Sequence, residues 1–402
     1  MTRHIYKSTA SGTVVAPPSK SYAHRMLICA GLSNHECKVE NIQLSNDIIA
    51  TLNCLKALGV DSRYDETSKT VYIKPSGKKE ELFDCLESGS TLRFFIPIAS
   101  ILNSKAKFTG SKRLFERGVE VYEDIFKQNN LKFEKDDCFI NISGSLNAGY
   151  YKVKGNISSQ YISGLLFSLP LLDNDSVIEI IPPIESIDYI LITIDVLAKF
   201  GIEIINDLEH HKLIIKGNQA YQALDTCVEG DYSNAAFLDA FNYIGGNVLI
   251  SGLNEESLQG DKAYKEYFNI LNNNEMPTID ISNTIDLGPI LFVMAALLNG
   301  AKFTGIKRLR IKESDRVSCV CQELAKFGVK AIIEENTCII NKTLLHEPNE
   351  ILYGHNDHRI VMALSVMLSK FGGIISGTLA VNKSFPTFFE VIKKLGVVVQ
   401  DE

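Results

Sequence analysis

Two short segments of the chain gather charged residues of both signs directly before an apolar run. Residues 312–316 read KESDR and residues 355–359 read HNDHR, and helix-like runs follow at 317–320 and 360–364. The N-terminus of a helix is its positive end, with free N–H groups that favour acids and disfavour bases. Lysine and arginine at that position indicate an anionic ligand, which bases and backbone N–H groups bind together. The pattern therefore predicts an active site.

Length and composition are those of an ordinary globular protein with two or three domains. The 402 residues are 45% apolar and 22% charged, and the net charge of −7 argues against a nucleic-acid or membrane-surface partner. Residues 1–6 lack the apolar core of a signal peptide, and no apolar run is long enough to span a bilayer. Nine cysteines without a CxxC pair favour buried thiols over disulfides or metal ligands. We expect a cytoplasmic protein.

A helix-like apolar pattern that ends in Leu-Gly or Phe-Gly, followed by β-branched residues, recurs along the chain. Clear copies end at Gly59, Gly201, Gly328 and Gly396, and two weaker copies use asparagine, around Asn130 and Asn274. Either residue type can take the left-handed conformation that caps a helix C-terminus. Most intervals are roughly seventy residues, so the pattern is an internal repeat of supersecondary size.

Each repeat also contains an earlier apolar helix with a polar start, followed by a short strand-like run. The six starts are residues 19–21, 88–90, 158–160, 230–233, 284–286 and 356–358. Serine, asparagine and aspartate often only cap a helix, but several starts add lysine, arginine or glutamine, which capping does not need. Alternating helices and strands predict an α/β protein of six units. Pro17 and Pro18, which cannot continue a central strand, and the loop at 225–230 divide the units three and three.

The motifs jointly resemble one family, the EPSP synthases or 3-phosphoshikimate 1-carboxyvinyltransferases. The resemblance runs from residue 17 to residue 386, and the order and spacing of the strings make it specific. The matching strings are 17–25 (PPSKSYAHR), 87–93 (ESGSTLR), 158–161 (SSQY), 228–231 (VEGD), Asp286, 312–316 (KESDR), 356–359 (NDHR) and 383–386 (KSFP).

The family implies a fold of two similar domains, each made of three βαβαββ units, which is the inside-out α/β barrel of the enolpyruvyl transferases. It also implies that the active site lies in the interdomain cleft and that the first strand belongs with the C-terminal domain. The expected domains are therefore residues 17–227, and residues 1–16 with 228–402.

The reaction implied by the resemblance moves the carboxyvinyl group of phosphoenolpyruvate to the 5-hydroxyl of shikimate 3-phosphate and releases phosphate. Both substrates carry a phosphate and a carboxylate, so several bases must converge, and arginine matches carboxylates with two parallel hydrogen bonds. A proton must be placed on the methylene carbon and another removed from the hydroxyl, and both steps reverse as phosphate leaves. Carboxylates and a lysine suit these transfers when their pKa values are tuned.

The resemblance also implies a role for each matching residue. The ligands implied for shikimate 3-phosphate are Lys20, Ser21, Arg25, Ser158, Ser159, Gln160, Ser186, Tyr189, Asp286 and Lys312. Those implied for phosphoenolpyruvate are Lys20, Gly89, Arg117, Gln160, Arg316, Arg359 and Lys383. The implied catalytic residues are Asp286, Glu313, Lys20 and Lys312, with the division of proton steps left open, and His358 supports Arg359 or Glu313.

Some of these residues also have a purely structural interpretation. Arg25 and Arg93 lie inside apolar helical stretches and can be paired structural arginines, while Ser186 and Tyr189 can be plain loop residues. Asp315 is expected to orient its neighbours rather than to react.

Three positions depart from the usual family pattern. Gly118 stands where proline is more usual, and Arg308 and Glu87 stand where some members have asparagine. None of these changes removes a group that the chemistry needs. They leave the response to phosphonate inhibitors such as glyphosate open.

Two rival functions are weighed against this interpretation. The sister enzyme that uses UDP-N-acetylglucosamine has Lys-Asn where this chain has Lys20 and Ser21, and it carries a reactive cysteine on a loop whose counterpart, 109–117, has none here. A non-catalytic repeat protein that traps an anion gains nothing from Asp286 and Glu313 beside the bases. No metal or organic cofactor is expected, the partners are two small substrates, and the family implies a monomer.

Overall fold

Two structural units, each with its own hydrophobic core, make up the chain. The computed structural model describes all 402 residues and divides them into an N-terminal unit, Lys20–Glu229, and a C-terminal unit, Met1–Ser19 with Gly230–Glu402. No helix is both long and apolar enough to cross a membrane.

The boundaries of the two units lie two to three residues later than the sequence suggested. Pro18 forms a bridge with Gly230, and the Asp231 N–H donates to the Pro17 carbonyl (2.8 Å), which keeps these prolines in the C-terminal unit. The Val228 N–H donates to the Glu40 carbonyl (3.0 Å), which keeps residue 228 in the N-terminal unit. Backbone hydrogen bonds that lie just past the prolines and past the loop at 225–230 therefore set the two boundaries.

The elements alternate along the chain. The strands are β1 (Thr2–Ile5), β2 (Ser11–Val15), β3 (Cys37–Glu40), β4 (Val60–Asp65), β5 (Thr70–Pro75), β6 (Leu82–Asp84), β7 (Lys105–Thr109), β8 (Lys132–Lys135), β9 (Phe139–Ser143), β10 (Tyr150–Lys154), β11 (Ser176–Ile181), β12 (Ile204–Asp207), β13 (Lys212–Ile215), β14 (Thr226–Cys227), β15 (Asn247–Ser251), β16 (Thr278–Asp280), β17 (Ala301–Thr304), β18 (Ala331–Ile333), β19 (Thr337–Ile340), β20 (Leu352–Tyr353), β21 (Gly373–Ser376) and β22 (Val399–Asp401). The α-helices are α1 (Lys20–Leu32), α2 (Asn46–Ala57), α3 (Gly89–Asn103), α4 (Lys112–Glu116), α5 (Glu120–Gln128), α6 (Ser159–Ser168), α7 (Ile187–Lys199), α8 (Tyr232–Asp239), α9 (Tyr264–Asn273), α10 (Gly288–Leu297), α11 (Arg316–Ala325), α12 (His358–Phe371) and α13 (Phe388–Lys394).

The N-terminal unit contains three four-stranded sheets with the same topology. Their strand orders are β14-β3-β5-β4, β6-β7-β9-β8 and β10-β11-β13-β12. In the second sheet β6 and β7 are parallel, with α3 as the crossover, while β9 is antiparallel to both β7 and β8. This is the βαβαββ unit expected from the resemblance, so the predicted α/β class is confirmed.

The C-terminal unit repeats this topology with one shortened copy. Its sheets have the orders β16-β17-β19-β18, β20-β21-β1-β22 and β15-β2. The first strand of the chain, β1, lies antiparallel between β21 and β22 and so completes the last repeat. The fourth repeat differs from the expected unit, because β2 and β15 form a parallel pair and no hairpin joins them after α9.

The caps at the helix ends follow the predicted pattern at five of six positions. The residues with positive φ are Gly59, Asn130, Gly201, Gly328 and Gly396. The prediction is wrong at Asn274, whose φ is −122°. Both the backbone N–H and the side-chain amide of Asn274 donate to the Ile270 carbonyl (3.0 and 3.1 Å), so this helix end is satisfied without a left-handed residue there.

Several helices are buried on almost every side. Nine of the ten residues of α10 and most residues of α3 and α12 are buried. A helix that is apolar all round belongs in the interior of a protein. Charged side chains therefore have room mainly at the helix ends.

A glycine at a left-handed cap should be hard to replace. Gly201 has φ +79°, and an added Cβ would lie 2.7 Å from the Gln222 side chain. We expect Gly201→Ala to lower the free energy of unfolding by about 1–2 kcal/mol, because an L-residue is strained in this conformation. Urea denaturation measures the change. Gly149, with no atom within 4 Å of its Cβ position and no positive φ, is the matched control, and equal losses in both variants would contradict the argument.

Candidate active site

The starts of three helices in the C-terminal unit meet at one carboxylate. Asp286 lies in the short 3₁₀ turn Ile285–Leu287 that leads into α10, while Arg316 and Arg359 open α11 and α12. One oxygen of Asp286 contacts Arg316 Nη1 (2.9 Å) and Lys312 Nζ (3.3 Å), and the other contacts Arg359 Nη2 (3.1 Å). Residues up to 73 positions apart in sequence thus converge. The sequence predicted each of them as part of one site.

Two further carboxylates surround the Arg316 guanidinium. Arg316 Nε donates to Asp357 Oδ2 (2.8 Å), and Nη2 donates to Glu313 Oε2 (2.6 Å). Asp357 also accepts the Arg359 N–H (3.0 Å) and the Ser314 hydroxyl (3.1 Å). Arg316 is 1% exposed and Asp357 fully buried, so neither charge is stable there without the other. We call Asp286, Lys312, Glu313, Arg316, Asp357 and Arg359 the charge cluster.

Lys312 is the base of the charge cluster that is closest to losing its proton. Burial lowers its pKa to about 8, although the Asp286 carboxylate acts in the opposite direction. A lysine with this pKa exchanges a proton much more readily near neutral pH than an exposed one. The cluster therefore holds both fixed positive charge and a group suited to proton transfer.

The other predicted residues of this unit are His358, at the start of α12, and Lys383, in the 3₁₀ turn Thr378–Lys383 that follows β21. His358 is the buried first residue of α12, and its supporting role stays a prediction. Lys383 is also buried, and its Nζ donates to the Asn356 carbonyl (2.6 Å). The loop that enters α12 thus ties Lys383 to the segment that carries Asp357 and Arg359.

The sequence reasoning missed one carboxylate of this region. Asp261 is buried and accepts a hydrogen bond from the Ser233 hydroxyl. Burial and the nearby Asp286 carboxylate raise its pKa to about 7, while Arg359 acts to lower it. In the sequence Asp261 is one aspartate in a polar loop, so no local pattern signals that it becomes buried beside the charge cluster.

In the N-terminal unit a buried arginine, Arg93, brings three predicted residues together. Arg93 Nη1 donates to Gln160 Oε1 (3.0 Å), and Nη2 donates to the carbonyls of Arg117 (3.0 Å) and Gly118 (2.9 Å). A Cβ on Gly89 would lie 2.8 Å from a guanidinium nitrogen of both Arg93 and Arg117, so only glycine permits this approach. Arg93 is therefore a structural arginine that positions the predicted ligands.

Arg25 joins α1 to α7 within the same unit. Its guanidinium donates to the Thr193 hydroxyl (2.8 Å) and to the carbonyls of Ser21 (2.8 Å) and Tyr189 (3.0 Å). Burial lowers its pKa to about 10, so it remains charged at neutral pH. The predicted residues Ser21, Arg25 and Tyr189 are thus neighbours, and Arg25 has a structural function whatever it binds.

The remaining predicted residues of the N-terminal unit occupy helix starts. Lys20, the first residue of α1, pairs with Asp47 (2.7 Å), a residue that the sequence did not single out. Ser158 caps α6 by accepting the Gln160 N–H (3.3 Å), with Ser159 as the first helical residue. Ser186 precedes α7 in a left-handed conformation with φ +56°.

Comparisons with known proteins agree with these features. The family model of EPSP synthase (3-phosphoshikimate 1-carboxyvinyltransferase) matches residues 6–392. The 3-phosphoshikimate 1-carboxyvinyltransferase of Clostridium beijerinckii is 39% identical over 99% of this chain and 98% of its own, and that of Clostridium perfringens is 40% identical over 99% of both.

Solved structures share the fold at much lower identity. The EPSP synthase of Acinetobacter baumannii has a TM-score of 0.79 at 20% identity, covering 99% of both chains. The enolpyruvyl transferase NikO of Streptomyces tendae has a TM-score of 0.80 at 11% identity, covering 99% of this chain and 98% of its own. These likenesses support the repeated βαβαββ architecture.

The buried pair of Arg316 and Asp357 yields a stability prediction. We expect Asp357→Asn to lower the free energy of unfolding by about 3 kcal/mol, because it leaves a buried guanidinium with one carboxylate fewer. Asp315→Asn is the matched control, since Asp315 also caps a helix but is partly exposed, and asparagine caps equally well. Chemical denaturation measures the free energy of unfolding of both variants. An equal loss in the two would contradict the prediction, because it would trace the effect to helix capping and not to the buried charge.

Proposed function

The chain belongs to the EPSP synthase (3-phosphoshikimate 1-carboxyvinyltransferase) family, and we propose that it transfers the carboxyvinyl group of phosphoenolpyruvate to the 5-hydroxyl of shikimate 3-phosphate. The products are 5-enolpyruvylshikimate 3-phosphate and phosphate, as required for chorismate and aromatic amino-acid biosynthesis. The observation that carries the proposal is the charge cluster, in which Asp286 contacts Arg316, Lys312 and Arg359.

The bases of the chain suit the anionic groups of the two substrates. We assign the phosphoenolpyruvate carboxylate to Arg316 and Arg359, whose forked guanidinium groups match it in geometry. The other ligands proposed for phosphoenolpyruvate are Lys20, Gly89, Arg117, Gln160 and Lys383. Those proposed for shikimate 3-phosphate are Lys20, Ser21, Arg25, Ser158, Ser159, Gln160, Ser186, Tyr189, Asp286 and Lys312.

The proton transfers are assigned to Asp286, Glu313, Lys312 and Lys20. Asp286 and Glu313 share the hydrogen bonds of Arg316, so a ligand that takes over part of that guanidinium frees a carboxylate to accept a proton. Lys312 contacts Asp286 at 3.3 Å and can bind the reacting hydroxyl or assist its deprotonation. His358 supports Arg359 or Glu313.

Phosphate release tests the proposed reaction. With phosphoenolpyruvate and shikimate 3-phosphate, the purified protein is expected to release phosphate. We expect Glu313→Gln to lower kcat by about 10²–10⁴-fold, which is the usual contribution of a general acid or base. Glu255→Gln, which changes an exposed carboxylate of the same unit, is the control and should keep the wild-type rate.

The acceptor decides between the proposal and its nearest rival. UDP-N-acetylglucosamine is supplied in place of shikimate 3-phosphate in the same assay. Release only with the sugar nucleotide would assign the chain to the other acceptor, and no release with either would favour a binding protein.

The low pKa of Lys312 predicts a change of substrate affinity with pH. Its ammonium group is present below about pH 8 and is lost as pH rises through that value. We expect KM for shikimate 3-phosphate to rise above about pH 8, because neutral Lys312 attracts the ligand oxygens less strongly. Lys312→Arg keeps its charge and should move this limit upward. A KM that falls with pH, or a limit unmoved in the arginine variant, would contradict the role.

We further propose that the chain acts in the cytoplasm as a monomer on small-molecule substrates alone. Its nine cysteines are all free thiols, which suits a reducing compartment. The monomeric state is what the family resemblance implies. Light scattering of the purified protein, with and without both substrates, measures its mass.

A further inference from the structure

A fully buried carboxylate on α11, that of Glu323, holds the segment that leads into α12. It is hydrogen-bonded to His355 Nε2 (2.8 Å), to the Tyr353 N–H (3.0 Å) and to Lys326 Nζ (2.8 Å). The Lys326 ammonium also donates to the Ile351 carbonyl (2.8 Å). A buried carboxylate needs such partners, because a buried charge without them is costly. Glu323 and Lys326 therefore fasten this segment to α11.

The partners of Glu323 keep its side chain ionised. Burial raises the pKa of the carboxyl, but the hydrogen bonds from His355, Lys326 and the Tyr353 N–H outweigh it and lower the pKa below its ordinary value. The Lys326 ammonium also lies over the Tyr353 ring, 4.7 Å from its centroid. Hydrogen bonds to an ionised group are stronger than those between neutral groups, so Glu323 holds the segment firmly.

The same helix holds the segment at a second point, about two turns closer to the helix start. Arg316, the first residue of α11, donates to Asp357 Oδ2 (2.8 Å). A helix spans about 15 Å from residue 326 back to residue 316, and the chain from 351 to 357 spans about 20 Å when it is fully extended. The segment therefore runs along α11 with little slack, and the contacts of Glu323 set where along the helix the following residues lie.

Between these two points the chain makes a turn with an uncommon backbone conformation. His355 has φ +49° and Asn356 has φ +52°, so two successive residues that carry side chains are left-handed. This conformation costs free energy for residues other than glycine, and it persists where the surrounding contacts enforce it. Glu323 holds the turn on one side through the imidazole, and Arg316 holds it on the other side through Asp357.

Three of the residues that we assign to phosphoenolpyruvate depend on this turn. The Asn356 carbonyl accepts a hydrogen bond from Lys383 Nζ (2.6 Å). Asp357 binds the Arg316 guanidinium and accepts the Arg359 N–H (3.0 Å). A shift of the turn would therefore move all three bases together. The residues assigned to shikimate 3-phosphate belong mainly to the N-terminal unit, so these contacts do not hold them.

We propose that Glu323 is a positioning residue of the candidate active site, which through His355 fixes the turn at 355–356 and thereby the bases that bind phosphoenolpyruvate. The identity of that ligand rests on the proposed function, whereas the conformation of the turn does not. In this role Glu323 acts through the turn and not on a substrate. Its replacement should weaken the binding of phosphoenolpyruvate selectively, because the three bases are retained but misplaced.

Hydrogen exchange of the full-length protein tests the conformation of the turn and requires no enzymatic activity. Mass spectrometry follows peptides that cover residues 353–359 in the wild type, in His355→Asn and in His355→Gln. Glutamine can place an amide N–H near the position of imidazole Nε2, the atom that contacts Glu323, whereas asparagine is too short. Asparagine tolerates the left-handed conformation, so its effect reports the lost contact.

The two variants at position 355 should differ. We expect amide exchange in this segment to be about tenfold faster in His355→Asn and close to the wild-type rate in His355→Gln. Equal exchange in all three proteins, or the same acceleration in both variants, would overturn the proposal.

The KM values of the two substrates test the functional consequence, with phosphate release as the readout. We expect Glu323→Gln to raise KM for phosphoenolpyruvate about tenfold and to leave KM for shikimate 3-phosphate within about twofold of wild type. His355→Asn, which keeps Glu323 paired with Lys326, should give the same division and replaces the first variant if that one does not fold. Phe268→Leu, which shortens a fully buried side chain of α9, is the control for lost stability and should change neither KM value.

The two experiments can fail separately. An equal rise of both KM values, or a rise of neither, would refute the positioning role while leaving the proposed function intact. A wild-type protein that releases no phosphate would refute the proposed function, and the exchange rates would still decide whether Glu323 holds the turn.

Discussion

A guanidinium that is 1% exposed must keep its charge inside the protein, and in the C-terminal unit this constraint falls on Arg316. Removing such a group from water is costly unless its N–H groups meet oriented acceptors. Asp286, Glu313 and Asp357 supply them at 2.6 to 2.9 Å, each from a different helix start or the loop before it. The three segments cannot move apart without exposing a buried charge, so the geometry of the candidate site and the packing of the unit depend on the same contacts.

The two units stabilise their buried arginines by different kinds of contact. Arg25 and Arg93 donate to neutral carbonyl, hydroxyl and amide oxygens, so their positive charge is solvated but not cancelled. Arg316 and Arg359 instead contact carboxylates. The buried arginines of the two units are therefore held by contacts of different kinds, neutral oxygens in the N-terminal unit and carboxylates in the C-terminal unit.

Local signals in the sequence were sufficient for the fold class and for the helix starts. Capping residues and left-handed glycines act within one helical turn, so Asp357 and Gly328 could be located without tertiary information. The shortened fourth repeat, the burial of Asp261 and the hydrogen bonds of Arg93 depend on contacts between distant segments, which no local pattern records. Asn274 shows that a local signal can also mislead. Its side-chain amide donates to the Ile270 carbonyl at the helix end, so the predicted left-handed cap is not formed.

The pairing of charges also links ligand binding to proton transfer on the proposed mechanism. Before a ligand arrives, the Asp286 carboxylate contacts three cations of the charge cluster, Lys312, Arg316 and Arg359. A substrate carboxylate that binds Arg316 and Arg359 competes with Asp286 for these two guanidinium groups, so Asp286 loses two of its three contacts. On the proposed mechanism, Asp286 is then free to act as the proton acceptor, beside the buried Asp261, whose pKa is about 7. On this mechanism, the binding energy of the substrate carboxylate is used to free a proton-transfer group as well as to hold the substrate.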